Sequence, residues 1–130
     1  MSVPAHLKYT RDHFWIRIEG DRAIIGLTDY GIMELGMVVF IELPEMGTFV
    51  QKGQFLGTIE TISDDEHDTF APLSGQVVAV NLLLDRSIHM LHESPYDKGW
   101  LYSLKFSEEA ELEQLWDAQT YERAYEEVNE

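Results

Sequence analysis

Six consecutive residues hold the densest polar chemistry in the chain: Ser63, Asp64, Asp65, Glu66, His67 and Asp68. Carboxylate oxygens suit hard divalent cations, and an imidazole beside them suits zinc. Asp64, Asp65, Glu66, His67 and Asp68 are therefore the candidate metal ligands. Two features weigh against that chemistry. Five neighbours on a tight turn rarely converge on one ion, and no glycine in the run lets the backbone wrap around it. A solvated acidic turn is the plainer reading, with His67 having a second possible role as a pH-sensitive contact with a partner. His89 and His92 follow in the sequence, but spacing alone does not bring three histidines together. The run also contains no amine, since the four lysines of the chain are Lys8, Lys52, Lys98 and Lys105.

The elements around this run must present it. Phe55–Ile62 alternates in polarity, and a second apolar run, Val77–Val80, follows Pro72 and Gly75. The stretch from Phe55 to Val80 thus reads as an antiparallel hairpin whose acidic tip faces solvent. Upstream, Phe14–Glu19 and Ala23–Leu27 read as strands joined by a Gly20-Asp21 turn. Thr28 is the expected N-cap of a helix running to Leu35, stopped by Gly36, with Ile32 and Leu35 facing the core. Met37–Leu43 is a nearly continuous apolar strand ended by Pro44, and Thr48–Val50 is a brief further run. Asn81–Leu91 reads as a loop with an extended piece over Ile88–Leu91. Trp100, Tyr102, Leu104 and Phe106 alternate along a closing strand and, with Trp15, are core residues before they are a ligand platform.

Residues 1–8 read as a loose lead-in. Residues 107–130 read as a helical extension of two short helices. The first is capped by Ser107 and carries Leu112, Leu115 and Trp116 on one face. The second is capped by Asp117 and carries Tyr121, Ala124, Tyr125 and Val128. Many short strands followed by short helices predict a small, mainly β sandwich or barrel.

Composition sets limits on function. At 130 residues the chain is one domain with room for a core. It has no cysteine, which excludes disulfides, thiol chemistry and Cys-based zinc sites. Its 24 acids against 9 bases give a net charge of −15, a field that repels nucleic acid and anionic membranes and suits a basic partner. Much of that excess follows residue 107, where a solvated helix face accounts for it. No window reaches membrane-spanning length and the N-terminus lacks the apolar core of a signal peptide. A bacterial-type cytoplasm is the expected location, and a mature organellar protein would read the same way. No catalytic triad, carboxylate dyad or phosphate loop is present, so no enzyme is read.

Several blocks, in order, resemble the H protein of the glycine cleavage system. They are Tyr9-Thr10 with His13-Phe14-Trp15, Gly26 to Tyr30 with Leu35-Gly36, and Val39 through Pro44. Ala71 to Val77 with Asn81, Glu93 to Trp100, and Asp117 followed by Tyr121 complete the series. This resemblance covers nearly the whole chain. It implies a lipoyl-type fold, a flattened barrel of two antiparallel sheets with short helices appended, and a monomer. It further implies a carrier without catalytic residues, whose hairpin-tip lysine holds lipoic acid by an amide. That arm takes an aminomethyl group from a pyridoxal-phosphate glycine decarboxylase and offers it to a tetrahydrofolate-dependent aminomethyltransferase. Dihydrolipoamide dehydrogenase then reoxidises it.

At the tip the sequence departs from this pattern. Glu60, Thr61 and Ile62 match the family, Ser63 falls on its lysine, and the loop to Pro72 is one residue longer. A one-residue shift places Asp64 there instead. Stable lipoyl attachment needs a nucleophilic primary amine, which neither a hydroxyl nor a carboxylate supplies. The expectation is therefore a chain with no bound cofactor. It would act as an adaptor, regulator or competitor among proteins of glycine cleavage or of lipoate attachment and transfer. One alternative is a carrier with unconventional attachment, at Lys52 on the Val50-Gln51-Lys52-Gly53 turn. The other is a metal-binding acidic loop on a reused scaffold.

Overall fold

The computed structural model describes residues 3–129, with side chains described up to residue 126, so the Val128 side chain lies outside the described residues. In chain order the elements begin with β1 (Lys8–Tyr9), β2 (Phe14–Glu19), β3 (Arg22–Leu27), α1 (Asp29–Leu35) and β4 (Val38–Ile41). They continue through β5 (Phe49–Val50), β6 (Phe55–Thr61), β7 (Glu66–Phe70) and β8 (Gly75–Val80). A 3-10 turn over Leu82–Asp85, α2 (Met90–Glu93) and β9 (Tyr102–Phe106) follow, then a 3-10 segment over Glu109–Gln114 and α3 (Ala118–Asn129). Two sheets form, a six-stranded one ordered β1-β2-β3-β9-β8-β5 and a three-stranded one ordered β4-β6-β7. Every strand pair is antiparallel, so the expected mainly β architecture of two antiparallel sheets with short helices is what the chain adopts.

Strand β2 is buried on both faces. Phe14 and Ile16 enter the main core with Ile25, Leu27, Ile59, Leu73 and Leu104. Trp15 points the other way, into a second cluster with Val3, Leu7, Tyr9, Tyr30 and Tyr121. Its indole lies across Gly26, its cross-strand neighbour, and a Cβ there would sit 2.4 Å from the ring. The Trp15 Nε1–H donates to the Pro95 carbonyl at 2.9 Å, which satisfies the one polar atom of a fully buried ring.

Four of the sequence expectations change. The strand paired with β6 is β7, built from residues read as an acidic turn, whereas β8 pairs with β5 and β9 in the other sheet. Charge had masked β7, because it is an edge strand where acidic side chains reach water without cost. Within the lead-in, Val3 and Leu7 are buried, and β1 pairs with β2. Asn81–Leu91 holds a 3-10 turn and the start of α2 in place of an extended piece, with the Asn81 side chain accepting from the Leu83 N–H. The first C-terminal helix is a 3-10 segment. The α1 expectation holds, since the Thr28 hydroxyl accepts from the Gly31 N–H and Gly36, at φ 83°, ends the helix.

A hydrogen-bond chain, buried at its Thr28 end, fastens α3 to this frame. His13 Nε2 lies 3.1 Å from the Glu34 carboxylate, and His13 Nδ1 lies 2.6 Å from the Tyr121 hydroxyl. That hydroxyl is 2.7 Å from Thr28 Oγ1, which accepts from the Gly31 N–H at 3.1 Å. One direction satisfies every group: Nε2–H donates to Glu34, Tyr121 donates to Nδ1, and Thr28 donates to Tyr121. At the helix start, the Asp117 carboxylate accepts from the Thr120 N–H at 2.8 Å, which holds its carboxyl below the usual range. A lowered folded value means the cap contributes at pH above that range and is lost as pH falls through it.

Two tyrosines then respond in opposite ways to loss of the hydroxyl. Tyr121→Phe leaves His13 and the buried Thr28 without their partner and should cost about 1–3 kcal/mol in chemical denaturation. Among the described residues the buried Tyr102 hydroxyl has no hydrogen-bond partner, and burial pushes its ionisation well above the ordinary range. Tyr102→Phe should leave stability unchanged or raise it by up to about 1 kcal/mol in the same assay.

Candidate functional site

The β6–β7 hairpin is tight and well fastened. Its register runs Thr58↔Asp68, Ile59↔His67 and Glu60↔Glu66. The Thr61 N–H donates to the Asp65 carbonyl and the Asp64 N–H donates to the Thr61 carbonyl, both at 3.0 Å. Ile62, Ser63 and Asp64 thus form a three-residue loop whose last member, Asp64, has φ 65°. That is the geometry of a turn followed by a left-handed residue, which aspartate tolerates. The Ile62 N–H donates to the Met37 carbonyl at 2.9 Å, tying the tip to the chain entering β4. Ser63 stands exposed at the apex, its hydroxyl 3.4 Å from that of the buried Thr61.

The candidate metal ligands are divided by this geometry. Asp64 and Asp65 lie in the turn, and Glu66, His67 and Asp68 lie on β7. Along a strand successive side chains alternate, so Glu66 and Asp68 share one face and His67 takes the other. Among the described residues no three His, Asp or Glu side chains gather where they could hold an ion. His89 and His92 are engaged elsewhere. His92 Nε2 accepts from the Val38 N–H at 3.1 Å, and His89 lies 3.9 Å from Glu93. Glu60 and Glu66, both acidic, stand directly opposite one another.

Lys52 occupies a corner between the sheets. The Gln54 N–H donates to the Gln51 carbonyl at 2.9 Å, and Gly53 at φ 87° supplies the left-handed position. The Lys52 N–H donates to Ser74 Oγ at 2.9 Å, while its ammonium contacts the Gln114 side-chain oxygen.

One feature has no local sequence signal, a groove along the β1–β2 turn. A cavity of about 400 Å³ there is lined by His13, Glu34, Ile59 and His67. A second, of about 250 Å³, is lined by Tyr9, Lys52 and Trp116. Arg11, Asp12, Phe14 and Phe70 line both. These residues come from widely separated parts of the chain, so no local pattern announces them.

Residues 7–128 match the family model for the glycine cleavage H-protein. A glycine cleavage system H protein from Carboxydothermus hydrogenoformans is 42% identical over 128 residues, covering 98% of each chain. One from Rubrobacter xylanophilus is 48% identical over 111 residues, covering 85% of this chain and 87% of its own. The crystal structure of a glycine cleavage system H protein from Mycobacterium marinum superposes with a TM-score of 0.79 at 34% identity, covering 92% of this chain and 95% of that one. The chain belongs to the glycine cleavage H-protein family, the non-catalytic carriers of the glycine cleavage system.

Proposed function

We propose that this chain serves glycine cleavage, in a bacterial-type cytoplasm, as an H-protein scaffold that is not lipoylated at its hairpin tip. One observation carries the reading: the apex of the β6–β7 loop is Ser63, and no lysine lies between Lys52 and Lys98. The tip is presented as an attachment site would be, exposed and held by short backbone hydrogen bonds, yet it offers a hydroxyl. At neutral pH that group is too weak a nucleophile, and it would form an ester where an amide is needed. On this reading the protein docks with glycine-cleavage or lipoate-transfer proteins as an adaptor, regulator or competitor.

A second reading keeps the carrier role, with lipoate joined elsewhere. Identity of 42–48% to proteins named glycine cleavage system H protein favours it, and the comparisons taken alone support it better than the first. Lys52 is the amine it would use, since it sits on an exposed tight turn. Its ammonium, however, already contacts Gln114.

Intact mass of the protein from its native host separates the two. The first reading expects the unmodified mass; a lipoyl-sized increment abolished by Lys52→Arg would establish the second. A gain-of-function variant tests the apex directly. Incubated with a lipoate ligase, ATP and lipoate, Ser63→Lys should acquire the lipoyl increment while the parent chain does not. Failure of the variant would show that the longer acidic loop, and not the missing amine alone, prevents attachment. Because the acidic residues do not converge, millimolar zinc, magnesium or calcium should leave the thermal midpoint unchanged; a rise that His67→Ala removes would reinstate the metal-binding loop.

A further inference from the structure

Away from the hairpin tip, the cavity of about 250 Å³ brings two cations to one place in a strongly acidic chain. Arg11 and Lys52 both line it, and Phe14, Phe70 and Trp116 supply apolar walls. The Arg11 guanidinium lies 5.8 Å from the Trp116 ring centroid, and the Lys52 ammonium meets the neutral amide oxygen of Gln114. Among the described residues neither cation has a carboxylate at ion-pairing distance. Asp12, also at the cavity, is the one acid on its lining and pairs with neither.

The cavity has a hydrogen-bonded backbone frame. Tyr9 and Trp116 exchange both backbone hydrogen bonds at 2.8 Å, so the Trp116 backbone is fixed to the edge of β1. On the opposite side the Gly53 N–H donates to the Ala71 carbonyl at 2.8 Å and the Ala71 N–H to the Gln54 carbonyl at 2.9 Å. The Lys52 corner is thereby locked against the floor of the cavity. Preformed apolar walls with a few convergent polar groups are what a small-molecule site requires.

We infer that this cavity binds a small aromatic monocarboxylate, with its ring against Trp116 and Phe70 and its carboxylate between Arg11 and Lys52. A planar guanidinium pairs well with a carboxylate, and an ammonium adds a point charge. The volume suits a ligand of about ten non-hydrogen atoms. The inference is independent of whether any lysine carries lipoate, although lipoyl attachment at Lys52 would remove one of its two cations.

Phenylacetate and its neutral isostere phenylacetamide test this on the full, unmodified chain. In amide-resolved NMR titrations phenylacetate should shift residues of the Arg11 turn and Trp116 saturably, with a Kd of about 1 mM or tighter. Phenylacetamide should bind about tenfold more weakly, as should phenylacetate to Arg11→Gln and to Lys52→Gln. Lys98→Gln, which alters a cation remote from the cavity, should bind like the parent. Absence of saturable shifts up to about 10 mM, equal affinity for the amide, or parental affinity in both cavity variants would overturn the inference. Should one variant fail to fold, the other and the amide comparison still decide it.

Discussion

Everything in this fold depends on one strand being covered twice. On one side of β2, Phe14 and Ile16 pack into the space between the sheets. On the other, Trp15 is fully buried beside Tyr96, whose ring centroid lies 6.1 Å away, in the cluster that holds Tyr9, Tyr30 and Tyr121. Burying an indole removes about 150–250 Å² from water, several kcal/mol by transfer arithmetic, so neither layer can be lost cheaply. Gly26 is the matching constraint on β3, because any side chain there would occupy the space of the Trp15 ring. Tyr9 stacks on Tyr121 at 4.9 Å and Tyr30 on Tyr125 at 4.1 Å, which extends the aromatic layer from β1 through α1 to α3.

The hairpin tip is largely free of that constraint. Its side chains contribute little to either core cluster, and its shape is set by backbone hydrogen bonds and by Asp64 alone. A tip of this kind can change its side chains without disturbing the core, because its contacts are local. The chain keeps 42–48% identity to H proteins over most of its length, and its tip carries acids and no lysine.

Much of the fold was legible in the sequence because its signals are local. Thr28 and Gly36 bracket α1 as their side-chain chemistry predicts, and alternation found β2, β3, β6 and β9. What escaped was set by distant partners. The acids of β7 look like a turn until β6 is placed beside them. The lead-in looks loose until Glu122 accepts from the Val3 N–H at 2.7 Å. The tip position of Ser63 was legible from the resemblance, although the turn signals alone put the returning strand at Val77–Val80 in place of β7. The groove along the β1–β2 turn was not, because Arg11, Lys52 and Trp116 are neighbours only after both sheets have closed.

The clasp of Tyr121 onto His13 and Thr28 also bears on the order of events during synthesis. The strands of both sheets are complete in sequence by Phe106, whereas Tyr121, which stacks on Tyr9 in the aromatic layer, is added later. A chain lacking α3 would expose the rings of Tyr9 and Tyr30, the kind of apolar surface that makes incomplete chains prone to aggregate. Closure of α3 over that surface, completed by the Tyr121 hydroxyl meeting His13 and Thr28, is what covers it.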